Sequence, residues 1–302
     1  MDLCKHRQIE TINEYNGIKL LRCDRCHLVI SSKYLKGFNP HKVYRNYYRN
    51  EVSTKFVSGV EYIIKTFRFF RAFKLFTINP QAKSILDIGS GRGYTLYFLK
   101  KYYGYTRTAG IQIEKNSYNF SKNRLGLEMY NKDLLQMNLK SSSFNFVTMW
   151  HVLEHVKHPE KYIVKMRSLL KNNGRMVIEV PNFNSWTRKI CGKYWLGLDP
   201  KYHLYFFDRN SLTKLLRQHS LSIQKTQTFS LEYSTFTSTQ SIVSRLTNTD
   251  HVFFNYIQGG KFNLNIILHI FLFIVVAPVS FVINIFLYKS DYGEDLLVIA
   301  KK

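Results

Sequence analysis

From residue 84 onward, short apolar runs alternate with helical patterns, and this alternation, interrupted only at 231–290, dominates the hydrophobic pattern of the chain. Runs of mostly apolar residues predict strands at 84–88, 108–113, 127–131, 144–150, 175–180, 221–229 and 296–300. Apolar positions three and four residues apart predict helices at 94–103, 117–124, 159–170 and 209–218. Strands that alternate with helices are typical of an α/β fold with a parallel sheet. The pattern therefore predicts a seven-stranded, mostly parallel sheet.

Three segments fall outside this alternation. Residues 1–35 hold three of the four cysteines, residues 36–80 are basic and aromatic, and residues 231–290 do not continue the succession of strands and helices. We therefore divide the chain into a small N-terminal module at 1–35, a helical linker at 36–80 and an α/β domain at 81–302. Residues 231–290 are then a hydrophobic helical insertion before the last strand.

The linker contains a basic stripe with helical spacing. Lys65, Arg68, Arg71 and Lys74 follow one another at intervals of three residues, which places them along one side of a helix. Phenylalanines such as Phe70 form a neighbouring stripe. Two placements are compatible with this pattern: contact with an anionic membrane, and packing against the α/β domain, which we favour.

The insertion contains a long apolar stretch. Residues 266–288 carry no formal charge, and a helix of that length would be about 35 Å long, enough to cross a bilayer core. Pro278 lies near the middle, where proline bends or breaks a helix. A last strand at 296–300 has to return into the sheet, so a re-entrant or interfacial helical hairpin fits better than a single crossing. A hydrophobic dimerisation element is the alternative without a membrane.

The chain carries a large positive charge. It has 44 Lys and Arg residues against 20 Asp and Glu residues, a formal net charge of +24. Such a charge attracts nucleic acid, anionic lipid head groups or phosphorylated substrates, and a coding bias toward lysine is the alternative explanation. Four cysteines in 302 residues do not indicate a disulfide scaffold, and residues 1–7 do not resemble a secretory signal. We therefore expect a cytoplasmic protein that associates with a membrane through residues 266–288.

A glycine-rich turn follows the first strand of the α/β domain. Gly89, Gly91 and Gly93 alternate with Ser90 and Arg92, between an apolar strand and a helix. Glycine allows positive φ and a close approach of ligand to backbone, and the following helix directs N–H groups toward that ligand. The spacing differs from the G-x-G-x-x-G fingerprint of dinucleotide sites. The turn therefore predicts a nucleotide-like ligand other than a dinucleotide.

An acidic residue before the turn suggests which ligand. The carboxylate of Asp87, two residues before Gly89, suits a cationic ligand better than a pyrophosphate. S-adenosylmethionine (SAM) is such a ligand, since it carries an amino group and a sulfonium. The string LDIGSGRGY at 86–94 resembles the first motif of class I SAM-dependent methyltransferases.

Three further motifs resemble this family, in the family's order. NKDLLQMNL at 131–139 resembles the segment after the third strand, and LLKNNGRMVIEVPN at 169–182 resembles the fifth strand with its preceding turn. SFNFVTMWHVLEHVKHP at 143–159 resembles the fourth strand and the H-V-L-E-H segment of the ubiquinone-biosynthesis-like, Methyltransf_23-type branch. The resemblance implies a Rossmann-like fold, SAM as cofactor and an N-terminal zinc-ribbon-like segment. The cofactor-binding residues that it implies are Asp87, Gly89, Ser90, Gly91, Gly93, Gln112, Asp133, Leu134 and His151.

Two positions depart from the family's pattern. Gln112 stands after the second strand, where the family usually places an acidic residue that holds both ribose hydroxyls. An amide also donates and accepts hydrogen bonds, and a register shift would place Glu114 in this role instead. Asn145 stands where the family usually has aspartate, at a position that tends to be structural.

Histidines near the predicted carboxyl edge of the sheet are the candidate catalytic bases. Methyl transfer from a sulfonium needs an aligned nucleophile, and a hydroxyl acceptor also needs a base. His203, in a segment that resembles the branch's H-L-x-x-F motif, is the first candidate, because an imidazole with a pKa of about 6.5 accepts a proton at neutral pH. His151 is the second candidate, and His151 and His155 are expected to line the site. The alternative is that His203 only fixes its loop and that Glu154 and His155 orient the next helix.

Four N-terminal residues have the types and spacing of a zinc site. Cys23 and Cys26 form a C-x-x-C pair, and Cys4 and His6 supply two further ligands. Relatives in this branch begin with two C-x-x-C pairs, and here Arg7 occupies the position of one cysteine. We predict a structural zinc bound by these four residues, with a degenerate ribbon that binds no metal as the alternative.

The sequence predicts a SAM-dependent methyltransferase at the cytoplasmic face of a membrane. The amino-methyltransferase signature, Asn or Asp before Pro-Pro and an aromatic residue, is missing after the fourth strand. This disfavours N-methylation of adenine or glutamine. We predict transfer to oxygen, and less to carbon, of a sugar, lipid-linked glycan or quinone-like acceptor. The expected partners are a small-molecule or lipid-linked acceptor and an anionic membrane surface. An RNA methyltransferase and a non-catalytic binding protein with the same fold are the alternatives.

Overall fold

The strands of the protein form two sheets in the computed structural model, which describes residues 9–15, 17–32, 58–199, 202–258 and 260–302. The strands are β1 (Ile9–Tyr15), β2 (Ile18–Cys23), β3 (Val29–Ser31), β4 (Ser84–Ile88), β5 (Arg107–Ile111), β6 (Glu128–Tyr130), β7 (Phe144–Trp150), β8 (Leu170–Pro181), β9 (Tyr205–Phe206), β10 (Ser222–Gln227) and β11 (Asp295–Lys301).

The larger sheet has the order β10-β11-β8-β7-β4-β5-β6. β4 pairs in parallel with β5 and β7, and the parallel pairing continues to β6 on one side and β8 on the other. β11 runs antiparallel to both of its neighbours, β8 and β10. The predicted seven-stranded, mostly parallel Rossmann-like sheet is therefore confirmed, and the last predicted strand does return into it.

Helices cover both faces of this sheet. They are α1 (Ser58–Ile78), α2 (Tyr94–Tyr102), α3 (Lys115–Asn123), α4 (Pro159–Leu169), α5 (Trp186–Cys191), α6 (Arg209–Gln218), α7 (Ser234–Thr247), α8 (Val252–Ile257) and α9 (Asn265–Phe286). Successive residues of β4 face opposite cores, as expected for a strand with period two. Ile85 packs with Leu75 of α1, and Leu86 lies in the core that contains Ile163 of α4.

The two arginines of the basic stripe of α1 face the protein rather than solvent. Arg68 and Arg71 donate hydrogen bonds of 3.0 and 2.6 Å to the Glu232 carboxylate. Phe70 and Phe73 of the neighbouring stripe remain 46% and 48% exposed. The helix thus packs against the domain, as we favoured, and Arg68 and Arg71 form ion pairs with the domain.

The smaller sheet joins the N-terminal segment to the α/β domain. Its order is β1-β2-β3-β9, and the last pair matches Val29 with Phe206 and Ile30 with Tyr205. The backbone N–H of Ser31 also donates to the carbonyl of Leu204. Residues 17–32 therefore pack directly beside the loop that carries His203.

The insertion between β10 and β11 contains the packed helix pair α7 and α9, with the short helix α8 between them in the chain. The buried residues of α9 are Ile266, His269, Ser280 and Asn284, so polar side chains dominate its packed side. Asn284 Nδ2 donates to Ser238 Oγ of α7 at 2.8 Å. The opposite side is apolar and exposed: Ile267, Phe271, Ile274, Val275, Val279, Val282, Ile285 and Phe286. A helix of a water-soluble domain normally shows the reverse distribution.

The predicted hairpin within residues 266–288 is wrong. α9 is one continuous helix of 22 residues with Pro278 inside it. Proline removes one backbone donor, but a helix that packs along a neighbour tolerates this loss. The reversal of the chain lies instead between α7 and α9.

Candidate active site

The glycine-rich turn between β4 and α2 forms one wall of the candidate site. Gly89 and Gly91 have φ angles of 74° and 55°. The N–H groups of Gly89 and Ser90 donate to the carbonyl of Ile111 at 2.9 and 3.1 Å. A Cβ atom on Gly89 would lie 2.4 Å from Val152 Cγ2, whereas a Cβ atom on Gly91 would meet nothing within 4 Å. The turn is thus held by its neighbours and presents the backbone of Gly91 to open space.

Ser90 and Gly93 complete the turn. Gly93, with φ of 72°, is the N-cap of α2, and a Cβ atom there would lie 2.7 Å from Leu127 Cδ1. The Ser90 hydroxyl is buried without a hydrogen-bond partner among the described residues. Buried polar groups are nearly always hydrogen-bonded, so this hydroxyl fits a polar group of a bound ligand. The open backbone and the orphaned hydroxyl both fit SAM.

Asp87 lies at the base of the turn. It is 2% exposed, and its Oδ1 accepts a hydrogen bond of 2.6 Å from the Thr148 hydroxyl. Burial raises the pKa of Asp87 to about 6, although Thr148, Arg71 and Arg68 act in the opposite direction. A bound cation would further favour the ionised carboxylate.

Gln112 and Glu114 follow β5 and have different roles. Gln112 is 4% exposed, and its N–H donates to the Tyr130 carbonyl at 3.0 Å. The Glu114 carboxylate caps α3, since its oxygens accept the N–H groups of Asn116 and Ser117 at 2.7 and 2.6 Å. The cap explains why α3 begins at Lys115, two residues before the predicted start. The geometry therefore favours Gln112 over Glu114 for the ribose position.

Asp133 and Leu134 lie after β6. Asp133 Oδ1 accepts the N–H of Leu135 at 2.8 Å, and Oδ2 accepts the hydroxyl of Tyr162. Leu134 is 1% exposed and begins a short 3-10 helix. A carboxylate offers about four lone pairs, so two bonds leave room for the adenine amine that the family resemblance implies.

His151 is the centre of a buried group of charged residues. It follows β7 with a φ of 52°, and its N–H donates to the Glu179 carbonyl at 2.8 Å. Its Nε2 lies 3.4 Å from Glu179 Oε1 and 3.5 Å from Asp295 Oδ1, while Nδ1 lies 3.7 Å from Glu154 Oε1. The Tyr233 ring lies 4.2 Å from the imidazole, centroid to centroid. This group meets the glycine turn, because Val152 packs on Gly89.

The carboxylates control the charge of His151. Burial alone would lower its pKa, but the contacts with Glu179, Asp295 and Glu154 outweigh burial and raise the pKa above its ordinary value. Burial raises the pKa of Asp295 to about 7. For Glu179, burial opposes ionisation, but the contact with His151 and the charges of Arg71 and Lys74 together outweigh burial and lower the pKa to about 2. The arrangement matches a base whose orientation is fixed by acidic neighbours.

His203 does not have the ordinary pKa that the sequence argument assumed. Burial, together with His155 and His151, lowers its pKa well below the usual value. Its Nδ1 lies 3.1 Å from the Gly197 carbonyl, and its ring is 4.6 Å from that of His155. His203 is therefore neutral at physiological pH and a weaker base than expected, because desolvation penalises the imidazolium.

Sequence reasoning missed the acidic partners of His151. Glu179 and Asp295 lie in β8 and β11, each 2% exposed. Their oxygens also accept hydrogen bonds of 3.0 Å from Ser230 and 2.7 Å from Ser234. The available signal was an acidic residue inside one predicted apolar strand and another directly before the last one, where a charge is rarely buried without a partner.

Two of the four predicted zinc ligands lie in the described part of the chain. Cys23 ends β2 and is buried, and Cys26 follows in the turn before β3. Cys4 and His6 lie outside the described residues. The N-terminal zinc site therefore stays a prediction.

Known proteins share the sequence pattern and the fold. Residues 62–226, more than half of the chain, match the family Methyltransf_23, described as "Methyltransferase domain". The ubiquinone biosynthesis O-methyltransferase of Coxiella burnetii is 25% identical over 132 residues, which cover 41% of this chain. The chain spans 56% of the length of that curated relative.

Solved structures of methyltransferases share the fold at low sequence identity. A SAM-dependent methyltransferase from Archaeoglobus fulgidus superposes with a TM-score of 0.51 and 19% identity, covering 79% of this chain and 94% of that one. Phosphoethanolamine N-methyltransferase 2 of Haemonchus contortus, solved with SAM, gives a TM-score of 0.51 and 14% identity over 78% of this chain and 52% of that one.

The sheet order, the glycine turn at its carboxyl edge and the match over residues 62–226 agree with one another. The resemblance to class I SAM-dependent methyltransferases is thereby confirmed. The chain belongs to the Methyltransf_23 family of methyltransferase domains.

Proposed function

We propose that this protein transfers the methyl group of SAM to an oxygen atom of a membrane-associated acceptor, namely a sugar, a lipid-linked glycan or a quinone-like molecule. The observation that carries the proposal is the imidazole of His151 between Glu179 and Asp295, beside the glycine turn. Transfer to a hydroxyl needs a base within reach of the acceptor, and an imidazole held by carboxylates supplies one.

The residues of the site have separate roles in cofactor binding and proton transfer. When bound, SAM supplies a methyl group on a positively charged sulfur. Asp87 and the backbone at Gly91 hold the cofactor in the open part of the turn. His151 accepts the proton of the acceptor hydroxyl, while Glu179 and Asp295 orient the imidazole and stabilise the imidazolium. An O-methyltransferase is also named among the curated relatives, which is compatible with an oxygen acceptor.

The polarity of α9 supports a location at a membrane. Its 22 residues have a mean hydropathy of 2.9 over an 18-residue window, only 17% of which is buried. Small and polar residues on its packed side, with apolar side chains outside, are typical of helix pairs in lipid. In water, the exposed apolar side of α9 would favour aggregation.

The connections of the helix pair favour re-entry over a single crossing. Thr228, just after β10, donates its N–H to the carbonyl of Tyr288, just after α9. Both ends of the α7–α9 segment therefore lie at the same sheet. The α7–α9 pair would enter one leaflet of the membrane, with residues 248–264 deepest in it. The sheet would remain on the side from which the pair enters.

Incubation with SAM labelled in the methyl group and with fractionated cell extracts tests the proposal. We expect label in the organic-extractable fraction, in a product that survives mild alkali, since methyl ethers resist the hydrolysis that removes methyl esters. His151→Asn should slow this labelling by about 10²–10⁴-fold and still bind S-adenosylhomocysteine (SAH), and asparagine suits the positive φ of that position.

Label in RNA alone would contradict the acceptor class and favour the RNA methyltransferase. A protein that binds SAH but labels no fraction would favour the non-catalytic alternative.

A further inference from the structure

Three side chains converge on one point beside the proposed catalytic group. Glu154, His155 and His203 each place one potential ligand atom within 4.8 Å of the others. Glu154 Oε1 lies 3.8 Å from His155 Nε2. The two imidazoles contact each other edge to face, with centroids 4.6 Å apart. The backbone closes the group, because the Leu204 N–H donates to the Glu154 carbonyl at 2.8 Å.

Hydrogen bonds to backbone carbonyls orient both imidazoles. His155 Nδ1 lies 3.2 Å from the carbonyl of Tyr202, and His203 Nδ1 lies 3.1 Å from that of Gly197. A carbonyl only accepts, so each Nδ1 carries the proton and each Nε2 carries a lone pair. Metal-binding histidines typically have this arrangement, in which the second nitrogen donates to a carbonyl and fixes the tautomer.

The carboxylate of Glu154 is only partly compensated, because its ionic neighbour His151 Nδ1 lies 3.7 Å away, beyond hydrogen-bonding distance. Glu154 is 1% exposed, and neither of its oxygens accepts a hydrogen bond from a described residue. A buried carboxylate is costly unless it is paired or coordinates a metal. The Glu154 carboxylate and the two Nε2 atoms are all acceptors, so they cannot hydrogen-bond to one another. A cation bound between them would satisfy all three.

We propose that Glu154, His155 and His203 bind a divalent transition-metal ion, with zinc as the best match. Two histidines and one glutamate are a known ligand set for zinc sites that keep an open coordination position. Regular structure holds each ligand in place. Glu154 and His155 lie in the turn after β7, and His203 lies in the loop directly before β9, which pairs with β3. This site is separate from the predicted N-terminal zinc site and does not depend on methyl transfer.

Cobalt titration followed by visible spectroscopy tests the proposal on the full-length protein after removal of metals with a chelator. Cobalt bound by nitrogen and oxygen gives weak d–d bands, whereas thiolate ligands add intense charge-transfer bands. We therefore expect the Cys23→Ser/Cys26→Ser variant, which lacks the predicted N-terminal site, to bind one equivalent of cobalt without charge-transfer absorption, and zinc to displace this cobalt.

Two ligand variants and a control localise the metal. Glu154→Gln removes the charge at equal volume, and His203→Asn keeps a donor for the Gly197 carbonyl but lacks Nε2. Each should weaken binding by more than the 10–100-fold that outer-shell changes typically cost. His158→Asn is the matched control, because His158 lies nearby but contacts Glu160 instead, and it should bind like the wild type.

Thermal melting separates metal loss from misfolding. Without metal, Glu154→Gln should melt at or above the wild-type temperature, because it no longer buries a charge. With zinc, the wild type should melt at the higher temperature. Equal zinc shifts in wild type and Glu154→Gln, or cobalt binding that disappears only with the two cysteines, would overturn the proposal.

Discussion

The position of His151 makes the pH dependence of the reaction informative. Its pKa is raised by Glu179, Asp295 and Glu154 against the effect of burial, so the imidazolium persists above the ordinary pKa of histidine. A base has to be neutral to accept a proton. The rate constant kcat/KM for methyl transfer should therefore rise with pH through an apparent pKa above about 6.5 and then level off.

His151→Asn tests the assignment of that step. We expect a loss of about 10²–10⁴-fold in kcat/KM, the usual contribution of general base catalysis, and the disappearance of the pH step. If His203 were the base, the step would lie well below the ordinary pKa, because burial lowers the pKa of that residue.

Single residues were predictable where backbone geometry constrains them. Gly89 and Gly93 have positive φ and no space for a side chain, and their spacing is visible in the sequence. The contacts of Glu179 and Asp295 with His151 were not predictable, because they join three strands that lie far apart along the chain. A pKa set by such contacts cannot be inferred from residue type alone.

At the level of elements, variants of the two polar residues after β5 test which of them binds the ribose of the cofactor. Glu114→Ala removes the cap of α3 and should lower the free energy of unfolding by about 1 kcal/mol, measured by urea denaturation, without changing SAH affinity. Gln112→Ala should weaken SAH binding by about 1 kcal/mol, roughly fivefold, as expected for one lost hydrogen bond. Loss of SAH binding in Glu114→Ala alone would mean that the ribose ligand is Glu114.

Element boundaries followed the sequence closely where local signals are strong. β4, β7 and α6 coincide with the predicted ranges, and Asp208 and Ser211 form a capping box at the start of α6. α9 departed from prediction, because tertiary packing on α7 overrides the helix-breaking tendency of Pro278. Pairing of β3 with β9 was invisible in the sequence, since it joins residues about 175 positions apart.

At the scale of the whole molecule, the exposed side of α9 and the net charge of +24 predict binding to anionic membranes. Vesicles of phosphatidylcholine with phosphatidylglycerol should carry the protein upward in a flotation gradient. Replacing Phe271, Val275 and Val279 by serine should reduce the partition coefficient at least about 100-fold, because each side chain contributes about 1.5–3 kcal/mol when buried.

Val164→Ser/Ile190→Ser is the control for this experiment, because these two side chains are exposed apolar residues of other helices, at 51% and 62%. This control should float like the wild type. Flotation that survives the α9 substitutions would assign membrane binding to another surface, and binding to RNA with a steep salt dependence would favour the alternative acceptor.

The sheet topology was predictable because alternating strands and helices leave few arrangements, and the cofactor class followed from the turn at its edge. The acceptor was not predictable from the sequence. Residues that are far apart in the chain, from α7, β8 and β11, surround His151, and a fold does not determine a substrate.

The central claim is that the turn from Asp87 to Gly93 binds SAM. Calorimetric titration of the detergent-purified protein with SAH tests this most directly, beside Asp87→Ala and the control Asp250→Ala, which changes an exposed carboxylate. We predict micromolar binding to the wild type and to the control, and loss of binding in Asp87→Ala. No binding to the wild type, or equal binding to all three proteins, would contradict the account.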